Sequence, residues 1–128
     1  VDPKKTETID VINPATGELL TQTPVCGEGE VELAAKAAAD AFPGWRASPA
    51  QERIQYLFLL RDLLKSNLDE ISRTITNECG KTFEEAKAEM TRAIENVEIA
   101  CGIPMMAKGD ISEDIAPGID EMMIRQPV

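Results

Sequence analysis

The sequence predicts an α/β fold in which a β-hairpin precedes three to four helices and one strand follows them. Three observations support this prediction. Two short alternating segments flank a turn rich in proline and glycine, apolar residues recur at helical spacing through the middle of the chain, and residues 121–126 have a strand-like composition. Strands at both ends therefore enclose a helical middle.

A hairpin is predicted for residues 8–23, after a polar start that we expect to be loosely ordered. Residues 8–12 alternate between polar and apolar side chains, residues 18–23 form the second strand, and Pro24 ends it. The intervening residues 13–17 are Asn-Pro-Ala-Thr-Gly. A proline fixes φ and a glycine accepts positive φ, which is what a short reversal requires.

The first predicted helix is rich in alanine. Residues 27–30, Gly-Glu-Gly-Glu, place carboxylates at the positive end of this helix, and the same negative charge argues against a phosphate-binding loop. Pro43-Gly44 predicts its end, and Trp45 is expected to fill the core beneath that turn. The apolar face predicted for this helix consists of Val31, Ala35, Ala38 and Phe42.

A long helix with a bend or a brief break is predicted from residue 48 to residue 80. Ser48 is the expected cap, with a proline directly after it, and Gly80 supplies the stop signal. Asn67 and Glu70 are placed to cap a second segment, which predicts the break. The apolar face of this helix comprises Ile54, Leu57, Phe58, Leu64, Leu68, Ile71 and Ile75.

The most clearly bounded helix begins at Thr82. The Thr82 hydroxyl can cap the first turn while Glu85 reaches back to the exposed amide, and Gly102 with Pro104 ends the far side. One apolar stripe at steps of three and four runs along this helix and consists of Phe83, Ala86, Met90, Ile94, Val97 and Cys101.

Arg92 lies off this stripe, at about 200° from Met90 on a helical wheel of about 100° per residue. Glu89 and Glu95 flank it one turn away on either side. The pattern alone favours a solvated arginine that exchanges weak ion pairs with these two glutamates. A binding role is the alternative.

The end of the chain is predicted to be less regular. Residues 105–109 form a turn with exposed methionines, residues 111–120 are irregular around Pro117-Gly118, and residues 121–126 form a strand that Pro127 stops. A strand without a neighbour needs another segment or subunit to satisfy its backbone. We therefore expect the chain, which begins at Val1 without a methionine, to be part of a larger protein.

Composition excludes several classes of function. The chain has 128 residues, enough for one core, and a formal net charge of −10, so binding to nucleic acid or to an anionic membrane is not expected. It contains no histidine, so we predict no zinc site and no histidine-activated nucleophile. Three widely spaced cysteines, Cys26, Cys79 and Cys101, fit a reducing compartment and are expected to be small buried apolar residues.

The order of these features resembles the N-terminal part of the aldehyde dehydrogenases, over nearly the whole chain. The resemblance is carried by residues 13–17, by residues 41–45 (Ala-Phe-Pro-Gly-Trp) and by residues 77–81 (Asn-Glu-Cys-Gly-Lys). Residues 94–104, together with Lys108-Gly109 and residues 124–127, look most like the CoA-acylating methylmalonate-semialdehyde dehydrogenases. Thr91 and Ala93 depart from that group's pattern, which has glycines or other small residues there.

This resemblance implies an arrangement of domains and a reaction. Residues 1–128 would be the N-terminal part of the cofactor domain, with residues 110–128 beginning the oligomerisation arm. In the family, a cysteine thiolate attacks the aldehyde, a hydride passes to NAD, and CoA releases the acyl group. The catalytic and cofactor-binding segments would follow Val128, so this chain should be inactive alone and should hold neither NAD nor CoA.

The resemblance also assigns Arg92 to substrate binding, because an arginine at that position holds the carboxylate of the semialdehyde in the acylating group. The full-length protein would be a dimeric or tetrameric homo-oligomer in the cytoplasm, or in the mitochondrial matrix of a eukaryote. Two alternatives stay open. One is a succinate-semialdehyde or other non-acylating aldehyde dehydrogenase, and the other is an autonomous acidic helical module that binds a partner through its methionine-bearing end.

Overall fold

The computed structural model describes residues 7–126, so the predictions for residues 1–6 and for Pro127 concern residues outside this range. The described residues form two antiparallel hairpins separated by a run of helices, which confirms the α/β class. The elements are β1 Thr8–Ile12, β2 Leu19–Pro24, α1 Glu28–Ala47, α2 Ala50–Ser66, α3 Leu68–Cys79, α4 Phe83–Ala100, α5 Ile103–Met106, β3 Asp110–Ala116 and β4 Ile119–Met123.

The first hairpin forms where the sequence predicts it. Thr8 pairs with Pro24, and the register shifts between Val11 and Ile12. At the turn, the Gly17 amide donates to the Asn13 carbonyl at 2.8 Å, and Gly17 adopts φ 75°. A glycine accepts this left-handed conformation without steric cost, which explains its place in the turn.

The core lies where α4 packs against α2 and α3. Its apolar members among the described residues are Ile54 of α2 and three residues of α4, namely Ala86, Met90 and Ile94. Ser72 of α3 is fully buried, and its hydroxyl donates to the Leu68 carbonyl at 2.7 Å. The predicted break between α2 and α3 is also present, because α2 ends at Ser66 and α3 begins at Leu68.

The caps of α2 and α3 differ from the prediction. The Ser48 hydroxyl does not cap α2 but donates to the Gly44 carbonyl at 3.2 Å, and Pro49 is the residue before the helix. The Asn67 side chain donates to the Leu63 carbonyl at 2.8 Å and so closes the end of α2 instead of starting α3. Both side chains satisfy carbonyls at the end of a preceding helix, which is the other requirement of a helix boundary.

The predicted end of α1 at Pro43-Gly44 is wrong, because the helix continues through both residues to Ala47. Proline removes one backbone donor, but the turns on either side retain theirs, and the Ser48 amide bonds the Trp45 carbonyl at 3.2 Å. The apolar face predicted for α1 is mostly uncovered, since Val31 is 63% exposed, no residue of α1 is buried, and of the predicted face only Phe42 is half-buried. Trp45 is 49% exposed and packs against the Tyr56 ring, so its prediction as a core residue is also wrong.

A further correction concerns the end of the chain. Residues 111–116, predicted to be irregular, belong to β3, which pairs with β4 in an antiparallel hairpin, so the strand around Glu121 has a neighbour. Pro117 and Gly118, with φ 75° at Gly118, occupy the central positions of the turn between Ala116 and Ile119. A proline followed by a glycine with positive φ is the signature of a type II turn.

Candidate functional site

The start of α4 is fixed by the predicted capping box. The Thr82 hydroxyl accepts a hydrogen bond from the Glu85 amide at 3.3 Å, and the Glu85 carboxylate accepts one from the Thr82 amide at 3.0 Å. The same carboxylate accepts a hydrogen bond from the Thr82 hydroxyl at 2.9 Å. These donors hold the pKa of Glu85 below its usual value, first through the backbone amide and then through the hydroxyl. The first turn of α4 is therefore anchored before the helix reaches Arg92.

The buried stripe sets the rotation of α4 about its axis. Ala86 is fully buried, and Met90 and Ile94 are 8% and 5% exposed. The remaining stripe residues, Phe83, Val97 and Cys101, are half-buried. Because the stripe faces α2 and α3, the opposite side of the helix is turned outward. Arg92 is exposed on that side, as the helical wheel predicts.

The two glutamates beside Arg92 behave differently from the sequence expectation. Glu89 pairs with Lys81, whose ammonium lies 2.5 Å from the Glu89 Oε2. Within residues 7–126, neither Arg92 nor Glu95 forms an ion pair within 4.0 Å or a side-chain hydrogen bond. The predicted exchange of ion pairs is thus not the arrangement that this structure contains.

The ionisation of Glu89 reflects the same pairing. Its pKa lies below the usual value, first because Lys81 donates a hydrogen bond to the carboxylate and then because of the Lys81 charge. The positive charge of Arg92 adds a smaller lowering of this pKa. Conversely, the hydrogen bond to Glu89 raises the pKa of Lys81. Both partners of the pair are therefore charged at neutral pH, beside the Arg92 guanidinium.

This geometry leaves the Arg92 guanidinium able to bind an anion. A guanidinium presents a planar set of donors that matches the two oxygens of a carboxylate, and a charged bidentate pair is among the stronger hydrogen-bonded contacts. The sequence did not reveal that Lys81 holds Glu89, because the two residues are eight positions apart and only Glu89 lies in the helix. The feature of the sequence that indicates this ion pair is the basic residue Lys81 directly before the Thr82 cap.

The two glycines of residues 27–30 do not form a cradle for the pyrophosphate of a dinucleotide. Gly27 directly precedes α1, and Gly29 lies in its first turn. Each glycine is followed by a glutamate, Glu28 or Glu30, and the Gly27 amide already donates a hydrogen bond to the Glu30 carboxylate at 2.8 Å. Carboxylates at this position repel phosphate. Across residues 7–126, no group of three or more His, Cys, Asp or Glu side chains is placed to hold a metal ion.

The cysteines differ from their predicted environment. Cys26 and Cys79 are exposed, and Cys101 alone is partly buried, so only Cys101 resembles the small buried residue that the sequence suggests. Cys26 follows the end of β2, and Cys79 is the last residue of α3. Both lie at the ends of elements, where the described residues leave the side chain uncovered.

A cleft of 720 Å³ lies between α1 and α2, and no residue of α4 lines it. Trp45, Tyr56 and Arg53 contribute to its walls, and the buried Arg53 Nε has no hydrogen-bond partner within residues 7–126.

No helix in this described range has the length and apolar content needed to cross a bilayer.

Comparison with known proteins places the whole chain in one family. The aldehyde dehydrogenase family profile matches residues 1–128. The malonate-semialdehyde dehydrogenase of Pseudomonas aeruginosa is 42% identical over 119 residues, which are 93% of this chain and 24% of that protein. The chain spans about a quarter of the length of the curated relatives it matches.

Two solved structures have the same fold over this length. The methylmalonate-semialdehyde dehydrogenase DddC of Oceanimonas doudoroffii superposes with a TM-score of 0.90 at 43% identity, over 96% of this chain and 25% of that one. A methylmalonate-semialdehyde dehydrogenase structure from Sinorhizobium meliloti, complexed with NAD, has a TM-score of 0.90 at 33% identity, over 100% of this chain and 26% of that one. The described fold is therefore that of the N-terminal quarter of these enzymes.

Proposed function

Because the chain belongs to the aldehyde dehydrogenase family, we propose that it forms the N-terminal part of an NAD-dependent, CoA-acylating dehydrogenase of malonate or methylmalonate semialdehyde. The relatives from Pseudomonas and Oceanimonas are named for these two aldehydes, which supports the substrate class. The relative from Sinorhizobium was crystallised with NAD, which supports the cofactor. The CoA-acylating step is supported by the sequence features of residues 94–104.

The observation that carries the substrate assignment is the exposed Arg92 guanidinium. It stands on the outward side of a helix whose rotation is fixed by its buried stripe, and the nearest preceding carboxylate, Glu89, is held by Lys81. A substrate that bears a carboxylate as well as an aldehyde can use this guanidinium for orientation. We therefore assign Arg92 to binding the substrate carboxylate, and we assign no catalytic residue to this chain.

In this proposal the chain supplies substrate binding, and other parts of the protein and the cofactors supply the chemical steps. Arg92 would hold one end of the substrate so that the aldehyde carbon meets a nucleophile supplied by another part of the protein. Hydride acceptance and acyl transfer are the chemistry that NAD and CoA supply in such a reaction. No contact with either cofactor is attributed to residues 7–126, and the 128-residue chain alone is expected to be inactive.

The domain assignment is also a proposal. We assign the helices to the cofactor domain and residues 110–128 to the start of an oligomerisation arm. The β3–β4 hairpin supports this, because it exposes Ile111 and Met122, each 65% exposed, as an antiparallel pair without a third strand in the described range. A homo-oligomer would cover such a hairpin. The proposed compartment is the cytoplasm, or the mitochondrial matrix if the source is eukaryotic.

The non-acylating alternative is tested by the dependence of turnover on CoA. We would measure NADH formation by the full-length protein with malonate semialdehyde, with and without CoA, and identify the product by mass spectrometry. The proposal predicts that rapid turnover requires CoA and yields a CoA thioester. Turnover that is independent of CoA and yields a free carboxylic acid would support a succinate-semialdehyde type or another non-acylating enzyme.

The alternative of an autonomous helical module is disfavoured by the small core. Only four apolar side chains are buried in the described range, whereas a separate domain of this length normally buries many more. Solution mass and thermal unfolding of the 128-residue chain distinguish the two views. A monomer with a sharp cooperative transition would favour the module, and self-association without such a transition would favour the dehydrogenase proposal.

A further inference from the structure

The pair formed by Lys81 and Glu89 stands directly beside the proposed substrate-binding residue. Lys81 precedes the Thr82 cap, and its side chain spans the first two turns of α4 to reach Glu89 at 2.5 Å. Glu89 is three residues before Arg92, which is within reach along a helix surface. The two side chains of the pair are 33% and 50% exposed, so neither is buried in the core.

Without Lys81, Glu89 would be the natural local partner of Arg92. A glutamate that precedes a basic residue by three or four positions forms the favourable helical pair, and the reverse order is weaker. Glu95 follows Arg92 and is therefore the weaker competitor, and it makes no ion pair with Arg92 here. Glu85 is occupied by the cap. Glu89 is thus the acidic side chain on α4 that most needs to be held away from Arg92.

We propose that Lys81 is a positioning residue that holds Glu89 and so keeps the Arg92 guanidinium available for the carboxylate of the substrate. The inference rests on the proposed function of Arg92 and adds a determinant of specificity that does not touch the substrate. Lys81 acts in two ways. It occupies the competing carboxylate, and its charge balances the Glu89 charge, which would otherwise repel an approaching anion.

The expected effect is moderate because the pair is accessible to water. Removal of Lys81 should raise KM for a carboxylate-bearing semialdehyde by about two- to fivefold, which corresponds to one weak competing ion pair plus one uncompensated nearby charge. KM for propanal, which has no carboxylate, should not change. The turnover number should also be unchanged, because Lys81 does not contact the reacting atoms in this proposal.

The experiment uses the full-length enzyme with malonate semialdehyde and propanal as paired substrates. Lys81→Met removes the charge and keeps the length of the side chain. Lys87→Met is the matched control, because Lys87 pairs with Asp69 of α3 at 2.6 Å and has a similar exposure. Lys87→Met breaks an ion pair on the same helix without releasing Glu89, so its KM values should match those of the parent enzyme.

Rescue distinguishes positioning from a direct or a purely structural role. Lys81→Met/Glu89→Gln removes the released carboxylate as well, and it should return KM for malonate semialdehyde to within about twofold of the parent value, the scale of a weak exposed pair. An unchanged KM in Lys81→Met, or a raised KM that the second substitution does not restore, would overturn the inference. A direct contact between Lys81 and substrate predicts the unrestored result.

A separate variant, Arg92→Ala, tests the proposed function of Arg92 itself. If Arg92→Ala loses the preference for the carboxylate substrate while Lys81→Met changes nothing, the function of Arg92 stands and the role of Lys81 falls. If Arg92→Ala impairs both substrates equally, the assignment of Arg92 fails and the role of Lys81 falls with it. In the Arg92→Ala background, Lys81→Met should raise KM for malonate semialdehyde by less than it does in the parent enzyme, because only the repulsion by the uncompensated Glu89 charge remains.

Discussion

Gly80 and Pro14 are in such close contact that a Cβ atom on Gly80 would lie 2.8 Å from the Pro14 Cγ. This contact joins the turn of the first hairpin to the end of α3. Gly80 also adopts φ 73° and donates its amide to the Thr76 carbonyl at 2.9 Å, which closes the helix. One residue thus ends a helix in the left-handed conformation and leaves room for the hairpin.

We predict that Gly80→Ala destabilises the protein more than Gly17→Ala. Both glycines have positive φ, which costs about 1–2 kcal/mol for alanine, but only Gly80 has a neighbour that a Cβ would meet. Chemical denaturation of the two variants measures the difference. In Pro14→Ala/Gly80→Ala the clash with Cγ is absent, so the double variant should lose less stability than the sum of the single ones. Additive losses would show that the contact does not matter.

Because Thr82 is part of the capping box of α4, we predict that Thr82→Ala lowers the free energy of unfolding by about 1 kcal/mol at neutral pH. Thr91→Ala is the control, because the Thr91 hydroxyl bonds a carbonyl within the helix at 2.9 Å and its loss should be nearly neutral. Denaturation midpoints of both variants check this. Equal losses would mean that the cap contributes nothing beyond helix propensity.

The same box predicts how stability depends on pH. The pKa of Glu85 is lowered in the folded state by the Thr82 donors, so its contribution is present above the ordinary value of about 4.3 and is lost as pH falls through the lowered value. The difference in the free energy of unfolding between the parent and Thr82→Ala should therefore become smaller below about pH 4. It should not vanish, because the hydroxyl still accepts from the Glu85 amide. A constant difference from pH 7 to pH 3, a range of about four units, would contradict this account.

The core around α4 predicts that Met90→Ala is strongly destabilising, by about 2–5 kcal/mol, because it leaves a cavity where the helix meets its neighbours. Met90→Leu keeps the volume and should cost less than about 1.5 kcal/mol. Denaturant unfolding of the two variants measures the contrast. Similar small losses in both would mean that Met90 does not fill a packed site.

The helical core was predictable from sequence because its signals are local. The α4 stripe and the box formed by Thr82 and Glu85 are encoded by spacing, and both appear in the structure. Helix ends that depend on neighbours were not predictable. α1 passes through Pro43 because the single lost donor does not outweigh the remaining turns, and Trp45 packs on Tyr56 at a ring distance of 5.9 Å instead of entering the core.

The β3–β4 hairpin was missed because its alternation is interrupted. Asp114 adopts φ 51°, the register shifts between Ser112 and Ala116, and the Asp114 amide bonds the Asp120 side chain at 3.0 Å. Three polar residues in the middle of β3 thus obscure the period of two. The Pro117-Gly118 pair in the sequence is typical of the central positions of a type II turn and therefore favours a hairpin at this point.

At the site, sequence placed Arg92 on the outward side of α4 but could not say which partner Glu89 would choose. The pairing of Glu89 with Lys81 depends on how the chain approaches the Thr82 cap, which is a property of the three-dimensional path. The substrate role of Arg92 stays a prediction, and it is the central claim of the account.

The most direct test of that claim compares KM for malonate semialdehyde and for propanal in the full-length parent, Arg92→Ala and Arg92→Lys. A charged hydrogen-bonded pair contributes about 1.5–3 kcal/mol, so Arg92→Ala should raise KM for malonate semialdehyde by about 10- to 150-fold. The KM of Arg92→Lys for malonate semialdehyde should lie between those of the parent and Arg92→Ala, because an ammonium keeps the charge but not the planar fork of the guanidinium. KM for propanal should stay within about twofold of the parent value if Arg92 binds only the carboxylate. An equal rise in KM for both aldehydes, or no rise for either, would contradict the assignment.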